Sequence, residues 1–290
     1  MIAAGDYLQP TRLEAALAEL ARARCTVVAG GTDIYPACVG VDPPTPLLDV
    51  SLLAETRGIE QGTETSPLRV GALTTWSDLV RKPLPRHVRA LAQAAREVGG
   101  VQIQNRGTIG GNLCNASPAA DGIPPLLALD ATVELASQRG RRTLPLEQFV
   151  LGNRKTALGA DELLTAIVIP PRSANAVSVF LKLGHRRYLV ISIVMVALVF
   201  DFDPLGHVIY CGIAVGACSA AARRLATLER GLVGVHRREL PARAATLLDA
   251  GALAALAPID DVRATGTYRL DAARSLIERG LGELAHEAGA

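Results

Sequence analysis

Apolar residues recur every three to four positions across residues 11–24. Leu13, Ala16, Leu17 and Leu20 fall on one face and Glu14, Glu19 and Arg22 off it, which predicts an amphipathic helix. Residues 26–29 form a short apolar run, a buried strand that opens into Gly30-Gly31. Residues 47–50 and the alternating 68–74 predict two more strands, and 88–98 a helix stopped by Gly99-Gly100. Residues 105–125 break the periodicity; dense in Gly, Asn, Ser and Pro, they predict little regular structure. Strands are expected at 132–135, at 142–144 across a turn at Gly140, and at 162–169. Residues 170–176, with two prolines, read as a linker. Beyond it, 177–183, 189–200 and 208–215 predict three strands, with a turn at Asp203-Pro204-Leu205-Gly206. Helices are expected at 220–232, 240–256 and 270–288. Helix and strand alternate in the first part and an antiparallel sheet with helices makes the second, an α+β pattern in two domains.

Composition narrows the function classes. A formal net charge of +2 on 290 residues suggests no nucleic-acid or anionic-membrane partner. The longest apolar run, residues 188–200, is too short to span a bilayer and rich in β-branched residues, so it reads as a buried strand. Met1-Ile2-Ala3-Ala4-Gly5-Asp6 has no basic leader region, and a soluble, cytoplasmic protein is expected. Five cysteines without a C-x-x-C and five scattered histidines offer neither a disulfide framework nor a protein-ligated metal.

Two glycine-rich loops carry the chemical signal. In Val28-Ala29-Gly30-Gly31-Thr32-Asp33-Ile34-Tyr35 a strand opens into two glycines and a hydroxyl. Main chain without a Cβ lets a phosphate approach, and consecutive N–H groups form an anion nest; a tight turn after a strand is the structural alternative. Asp33 is awkward beside a phosphate, so its carboxylate should point away or cap a helix. The second loop, residues 105–121, sets Thr108, Gly111, Asn112, Ser117 and Asp121 among apolar neighbours. That density of polar groups suits a large polar ligand better than a plain surface loop. Neither loop is a Rossmann fingerprint, there is no G-x-x-x-x-G-K, and G-x-S-x-G is absent.

At these loops the chain resembles the FAD-binding (medium) subunit of the molybdenum hydroxylases, the xanthine, nicotinate and carbon monoxide dehydrogenase family. The resemblance spans nearly the whole length. It runs from Tyr7-Leu8-Gln9-Pro10-Thr11 through Ala29-Gly30-Gly31-Thr32-Asp33, Val70-Gly71-Ala72-Leu73-Thr74-Thr75, Thr108-Ile109-Gly110-Gly111-Asn112 and Ser117-Pro118-Ala119-Ala120-Asp121. It continues in Asp161-Glu162-Leu163-Leu164-Thr165, Phe180-Leu181-Lys182-Leu183-Gly184, Asp261-Val262-Arg263 and Tyr268-Arg269. Each motif is weak alone; their order and spacing together are specific.

The resemblance implies an FAD-binding domain of the vanillyl-alcohol-oxidase (PCMH) type over residues 1–172, in halves of about 1–57 and 58–172. It also implies a C-terminal three-stranded sheet plus helical bundle over 177–288. Val28, Ala29, Gly30, Gly31, Thr32, Asp33, Ile34 and Tyr35 correspond to the first flavin-nucleotide loop. Thr108, Gly111 and Asn112 correspond to the second, Ser117 and Asp121 to polar contacts with the nucleotide or ribityl part, Leu164 to an apolar wall near the ring, and Lys182 to a cation beside the isoalloxazine. Leu164 also reads as a core residue, and Asp121 as a turn cap. The implied role is an electron-transfer subunit without catalytic acid–base or metal-binding residues of its own. Electrons would come from 2Fe–2S clusters on a small subunit, supplied by a molybdenum–molybdopterin cofactor on a large one, and pass from FAD to NAD, a quinone or dioxygen. A dimer of heterotrimers is compatible with it. The alternatives are a stand-alone FAD-dependent oxidoreductase of the same fold and an assembly subunit that has lost FAD. The variable segment Tyr188-Leu189-Val190 lies near the flavin in this family, Thr32-Asp33 is unlike the carbon monoxide dehydrogenase version, and the four-cysteine insertion of 4-hydroxybenzoyl-CoA reductases is absent.

Overall fold

The structure is a computed structural model of the 290-residue chain and describes residues 7–187, 189–249 and 251–287. Its first layer is a small parallel sheet of β1 (Tyr7–Leu8), β2 (Thr26–Val28) and β3 (Leu47–Asp49), in the order β1-β3-β2. Helix α1 (Leu13–Arg22) buries Leu13, Ala16, Leu17 and Leu20, the stripe its sequence predicts, in a core with Leu48, Val50 and Leu53. A single turn, α2 (Ile34–Ala37), follows the first glycine loop.

The second sheet is antiparallel throughout. Its strands are β4 (Ile59–Glu60), β5 (Leu68–Gly71), β6 (Thr132–Ser137) and β7 (Gly140–Pro145), with β8 (Val150–Gly152) and β9 (Lys155–Thr156) set apart as a hairpin before β10 (Leu163–Ile169). The order is β4-β5-β10-β6-β7, so the last strand in sequence is central in space. At the entry of β10, Leu163 belongs to the core of the first sheet and Leu164 to the core of the second. One strand end thus joins both layers. Around this sheet lie α3 (Trp76–Arg81), α4 (Arg89–Glu97), α5 (Val101–Gln104), α6 (Ile109–Asn115), α7 (Ile123–Ala128) and α8 (Leu146–Phe149).

Residues 105–125, expected to hold little regular structure, contain α6 and the first half of α7. Two local devices overcome the poor helix propensity of the composition. Thr108 caps α6 by accepting from the Gly111 N–H at 3.1 Å. Pro124 and Pro125 occupy the first turn of α7, where a missing N–H costs nothing.

The third sheet, β11 (Val177–Leu183), β12 (Val194–Phe202), β13 (Val208–Gly216) and β14 (Arg223–Arg224), is antiparallel. It has four strands where three were expected; β14, two residues long, is too short to leave a pattern. All nine residues of β12 are buried because both faces of the sheet are covered. Met195, Ala197 and Val199 face the core shared with α4 and α7, and Val194, Val196, Leu198 and Phe200 face α9 (Ala226–Leu232), α10 (Leu240–Asp249) and α11 (Gly266–Glu287). β12 begins at Val194, not at Leu189. Arg186 donates to the Leu189 carbonyl from Nε (3.1 Å) and Nη2 (2.5 Å), and Leu189 adopts a left-handed φ of 53°, which turns residues 184–193 out of the sheet. Tyr188, Ala250 and Ala288, on which three of the expected elements touch, lie outside the described residues.

Arg269 on α11 ties this segment down. Only 3% exposed, it donates to the carbonyls of Ile193 (2.5 Å) and Ala217 (3.1 Å) and pairs with Asp261 at 2.7 Å. Desolvation acts to raise the Asp261 pKa. The N–H groups of Arg263 and Ala264 and the guanidinium groups of Arg269 and Arg263 outweigh it and hold the pKa at about 2. Replacing Arg269 by Met leaves the Ile193 and Ala217 carbonyls without their donor, while Asp261 keeps Arg263 and the Ala264 N–H. The expected loss is about 1–3 kcal/mol of unfolding free energy for each stranded carbonyl, read from urea denaturation. A midpoint equal to that of the native chain is the contrary result.

Candidate functional site

A cavity of about 400 Å³ opens between the first and second sheets, and both glycine loops line it. Ala29, Gly30, Gly31, Thr32, Asp33 and Ile34 form one wall, and Thr108, Gly110, Gly111, Asn112, Cys114 and Asn115 the other. Val98, Ile103, Leu158, Leu163 and Leu164 make its apolar part. The two loops touch through main chain. A Cβ on Gly30 would lie 2.0 Å from the Arg106 carbonyl oxygen, and one on Gly110 would lie 2.7 Å from that of Ala72. Only glycine permits either approach.

The donors of the two loops differ in use. At the second loop the N–H of Ile109 binds the Thr74 carbonyl (3.0 Å) and that of Gly110 the Ala72 carbonyl (2.8 Å), while Thr108 takes the Gly111 N–H. These donors are spent on holding α6 against β5. At the first loop, the N–H groups of Gly30, Gly31, Thr32 and Asp33 have no acceptor among the described residues. Gly31 has a φ of 72°, and its missing Cβ leaves room for the Tyr35 ring, which would lie 2.4 Å away. Across the cavity Asn112 Oδ1 is buried without a hydrogen-bond partner. Four unspent consecutive donors and an orphaned acceptor fit a ligand with both anionic oxygens and hydroxyl or N–H groups, as a flavin dinucleotide has.

Trp76, the single tryptophan of the chain, underlies this wall. It is 1% exposed, its main-chain N–H binds the Gly107 carbonyl at 3.2 Å, and a Cβ on Gly122 would meet its ring at 2.6 Å. Sequence reasoning missed it; its rarity in a chain with 3% aromatics was the available signal. Cys114 is also on the wall, and burial pushes its thiol up to about 12, so it stays protonated at neutral pH. Asp33 caps no helix. Its carboxylate turns to Arg154, whose Nη1 lies 3.1 Å from Oδ2, and to Asn115 Nδ2 at 3.3 Å from Oδ1.

Ten of the fifteen residues singled out from the sequence line this cavity: Ala29, Gly30, Gly31, Thr32, Asp33, Ile34, Thr108, Gly111, Asn112 and Leu164. Val28 is buried in its strand, Tyr35 packs against Gly31, and Ser117 accepts from the Ala119 N–H at 3.3 Å to open a turn. Asp121 and Lys182 come together elsewhere. Lys182 Nζ lies 2.9 Å from Asp121 Oδ2 and 3.3 Å from the Glu97 carbonyl, and Ser192 Oγ donates to Asp121 Oδ1 at 3.0 Å. Both charged side chains are about nine-tenths buried. Burial pushes the Asp121 carboxyl up, against the opposing pull of the Lys182 ammonium and the Ser192 hydroxyl. The pair joins the end of the second loop to β11 and to segment 184–193. Lys182 lines a second cavity, of about 740 Å³, between α4, β11 and α11.

Residues 3–172 match the family model described as the FAD binding domain in molybdopterin dehydrogenase, and residues 180–284 the CO dehydrogenase flavoprotein C-terminal domain. The nicotinate dehydrogenase FAD-subunit of Eubacterium barkeri is 36% identical over 213 residues, 72% of this chain and 71% of the relative. The xanthine dehydrogenase FAD-binding subunit of Escherichia coli O157:H7 is 30% identical over 272 residues, 91% and 89%. Among solved structures, a chain of the carbon monoxide dehydrogenase from Hydrogenophaga pseudoflava that lacks the Mo-pyranopterin moiety of its molybdenum cofactor superposes with a TM-score of 0.86. It is 28% identical, with 99% of each chain covered.

Two outcomes are expected from this geometry. Lys182→Met leaves Asp121 buried without a counter-charge. Its folded pKa then stands above the unfolded value near 4, so the stability deficit is absent below about pH 4 and grows as pH rises through the raised folded pKa. Thermal melting across pH checks this; a deficit that does not change with pH contradicts it. Gly111→Ala adds a Cβ that meets Thr108 Oγ1 at 2.9 Å and otherwise faces the cavity. The variant should fold while its FAD affinity falls about tenfold or more, equivalent to at least one charge-assisted bond. Equal affinity on titration of the flavin-free chain would remove Gly111 from the site.

Proposed function

The chain belongs to the FAD-binding medium subunits of the molybdenum hydroxylase family, and from that premise we propose that it is the electron-transfer subunit of a multi-subunit molybdenum hydroxylase. The observation that carries this reading is the cavity between the two glycine loops, with its unspent amide donors and the orphaned Asn112 carbonyl. The N–H groups of Gly30, Gly31, Thr32 and Asp33 would hold the diphosphate of FAD, and Asn112 Oδ1 would accept from a ribityl hydroxyl. Leu163 and Leu164, already packed in the two cores, would close the apolar side against water. Bound FAD supplies a two-electron store that also exchanges single electrons. Among the described residues of the cavity, the ionisable ones are Asp33 and the protonated Cys114, so the chain's own work is binding and orientation.

On this reading the first 172 residues are a vanillyl-alcohol-oxidase (PCMH) type FAD domain in two halves, and residues 177–288 the C-terminal domain. The large partner subunit carries the molybdopterin cofactor and the small one the 2Fe–2S clusters, in a heterotrimer that pairs with a second. Among the described residues no helix is long and apolar enough to cross a membrane. The final acceptor is NAD, a quinone or dioxygen.

The full chain should purify yellow with one FAD, and Gly31→Val, branched at a left-handed position, should purify colourless. Oxidised flavin in the isolated chain should stay unbleached by small oxidisable substrates and become reducible by a hydroxylase substrate once the molybdopterin and iron–sulfur subunits are both added, followed by absorbance. A native chain without flavin, or direct bleaching by a hydroxylase substrate, would overturn the assignment.

A further inference from the structure

The cavity assigned to FAD has an electrostatic problem. The flavin diphosphate carries two negative charges, yet none of the described residues lining the cavity is Lys, Arg or His, and one is an acid, Asp33. Asp33 sits in the same loop as the four unspent N–H donors. Left alone, its carboxylate would oppose the anion that those donors attract.

Arg154 stands at the rim. It occupies the turn between β8 and β9 with a φ of 52°, a left-handed conformation for a residue with a Cβ. Its N–H donates to the Ala116 carbonyl at 3.0 Å, at the C-terminal end of α6, where Ala116 is itself left-handed with a φ of 46°. Its guanidinium reaches across. Nη1 lies 3.1 Å from Asp33 Oδ2 and 2.9 Å from Asn115 Oδ1, and Nη2 lies 3.5 Å from Asp33 Oδ1. Asn115 closes the ring by donating to Asp33. Asp33, Asn115 and Arg154 come from three separate stretches of chain and meet at the edge of one cavity. Strained main chain that aims a cation across a cavity edge is the kind of feature that persists for function.

We propose that Arg154 is a positioning residue for the cofactor, a clasp that neutralises Asp33 and fastens the first glycine loop to the second, so that a dianionic diphosphate can enter a cavity with no cation in its lining. The proposal rests on the reading of this cavity as the FAD site. Lys cannot bridge Asp33 and Asn115 with the same fork, but it carries the charge.

The test is FAD titration of the full-length chain, freed of flavin by chaotropic bromide and followed by quenching of flavin fluorescence. At low ionic strength Arg154→Met should bind FAD about tenfold more weakly, the gap narrowing at high salt as screening removes the repulsion. Arg154→Lys should recover part of the loss. The double variant Asp33→Asn/Arg154→Met should recover most of it, because the charge to be neutralised is gone. Arg154→Met with unchanged affinity, or a double variant as weak as the single one with both shown folded by circular dichroism, overturns the clasp. Failure of the unsubstituted chain to bind FAD is a separate result, which overturns the cavity assignment and the clasp with it.

Discussion

The site depends on main chain approaching main chain more closely than any side chain allows. Gly30 stacks on the Arg106 carbonyl and Gly110 on that of Ala72, each inside the distance a Cβ needs. These contacts press the first loop onto the second and the second onto β5. The carbonyls of Thr74 and Ala72 take the first donors of α6, which fixes that helix but uses its N-terminus up. The donors left for an anion are those of the first loop. The glycines of the two loops therefore have different work: Gly30 and Gly110 build the joint, Gly31 makes room for the Tyr35 ring, and Gly111 lines the cavity.

The C-terminal sheet is structurally part of the same body. β12 alternates between two cores, Met195, Ala197 and Val199 toward α4 and α7 and the residues between them toward α9, α10 and α11. A strand buried on both faces reads as a continuous apolar run, which is why residues 188–200 look like one element. The strand itself begins only where Ile193 bonds back to Leu183 at 2.8 Å and Arg269 grips the Ile193 carbonyl. Upstream, the Arg186 hold on Leu189 turns the chain away. Within segment 184–193 Arg186 holds the Leu189 carbonyl, and at its C-terminal end Ser192 binds Asp121 and Arg269 the Ile193 carbonyl.

The buried charges divide by place. Lys182 and Asp121 satisfy each other where the second loop meets β11, and the buried Arg269 reaches the more exposed Asp261 beside α11. Breaking the Lys182–Asp121 pair costs more than the pair itself contributes, because the survivor remains desolvated. Polar groups of the cavity are the converse case: Asn112 Oδ1 and the first-loop amides are left unpaired by the chain, as a binding site requires and a folding core does not.

Local pattern was enough for much of this protein. The 3.6-residue stripe of α1, the ends of β11 and the strand-to-glycine transitions are written in neighbouring residues, and the glycine loops showed their chemistry in their composition. Residues 105–125 misled because turn-forming residues there become helix through the Thr108 cap within the segment and the close packing of Gly110 on Ala72 from outside it. Lys182 and Asp121 drew notice as separate residues, 61 positions apart; that they hold each other outside the cavity between the glycine loops depends on how three distant segments pack. The same holds for Trp76 beneath the second loop and Arg154 across the cavity rim. Sequence by itself determined α1, β11 and the two glycine loops, since hydrophobic period and glycine act over a few residues. Which donors remain free, which charges find partners and where the two loops leave a space were decided only by tertiary structure, because each depends on atoms brought together from distant parts of the chain.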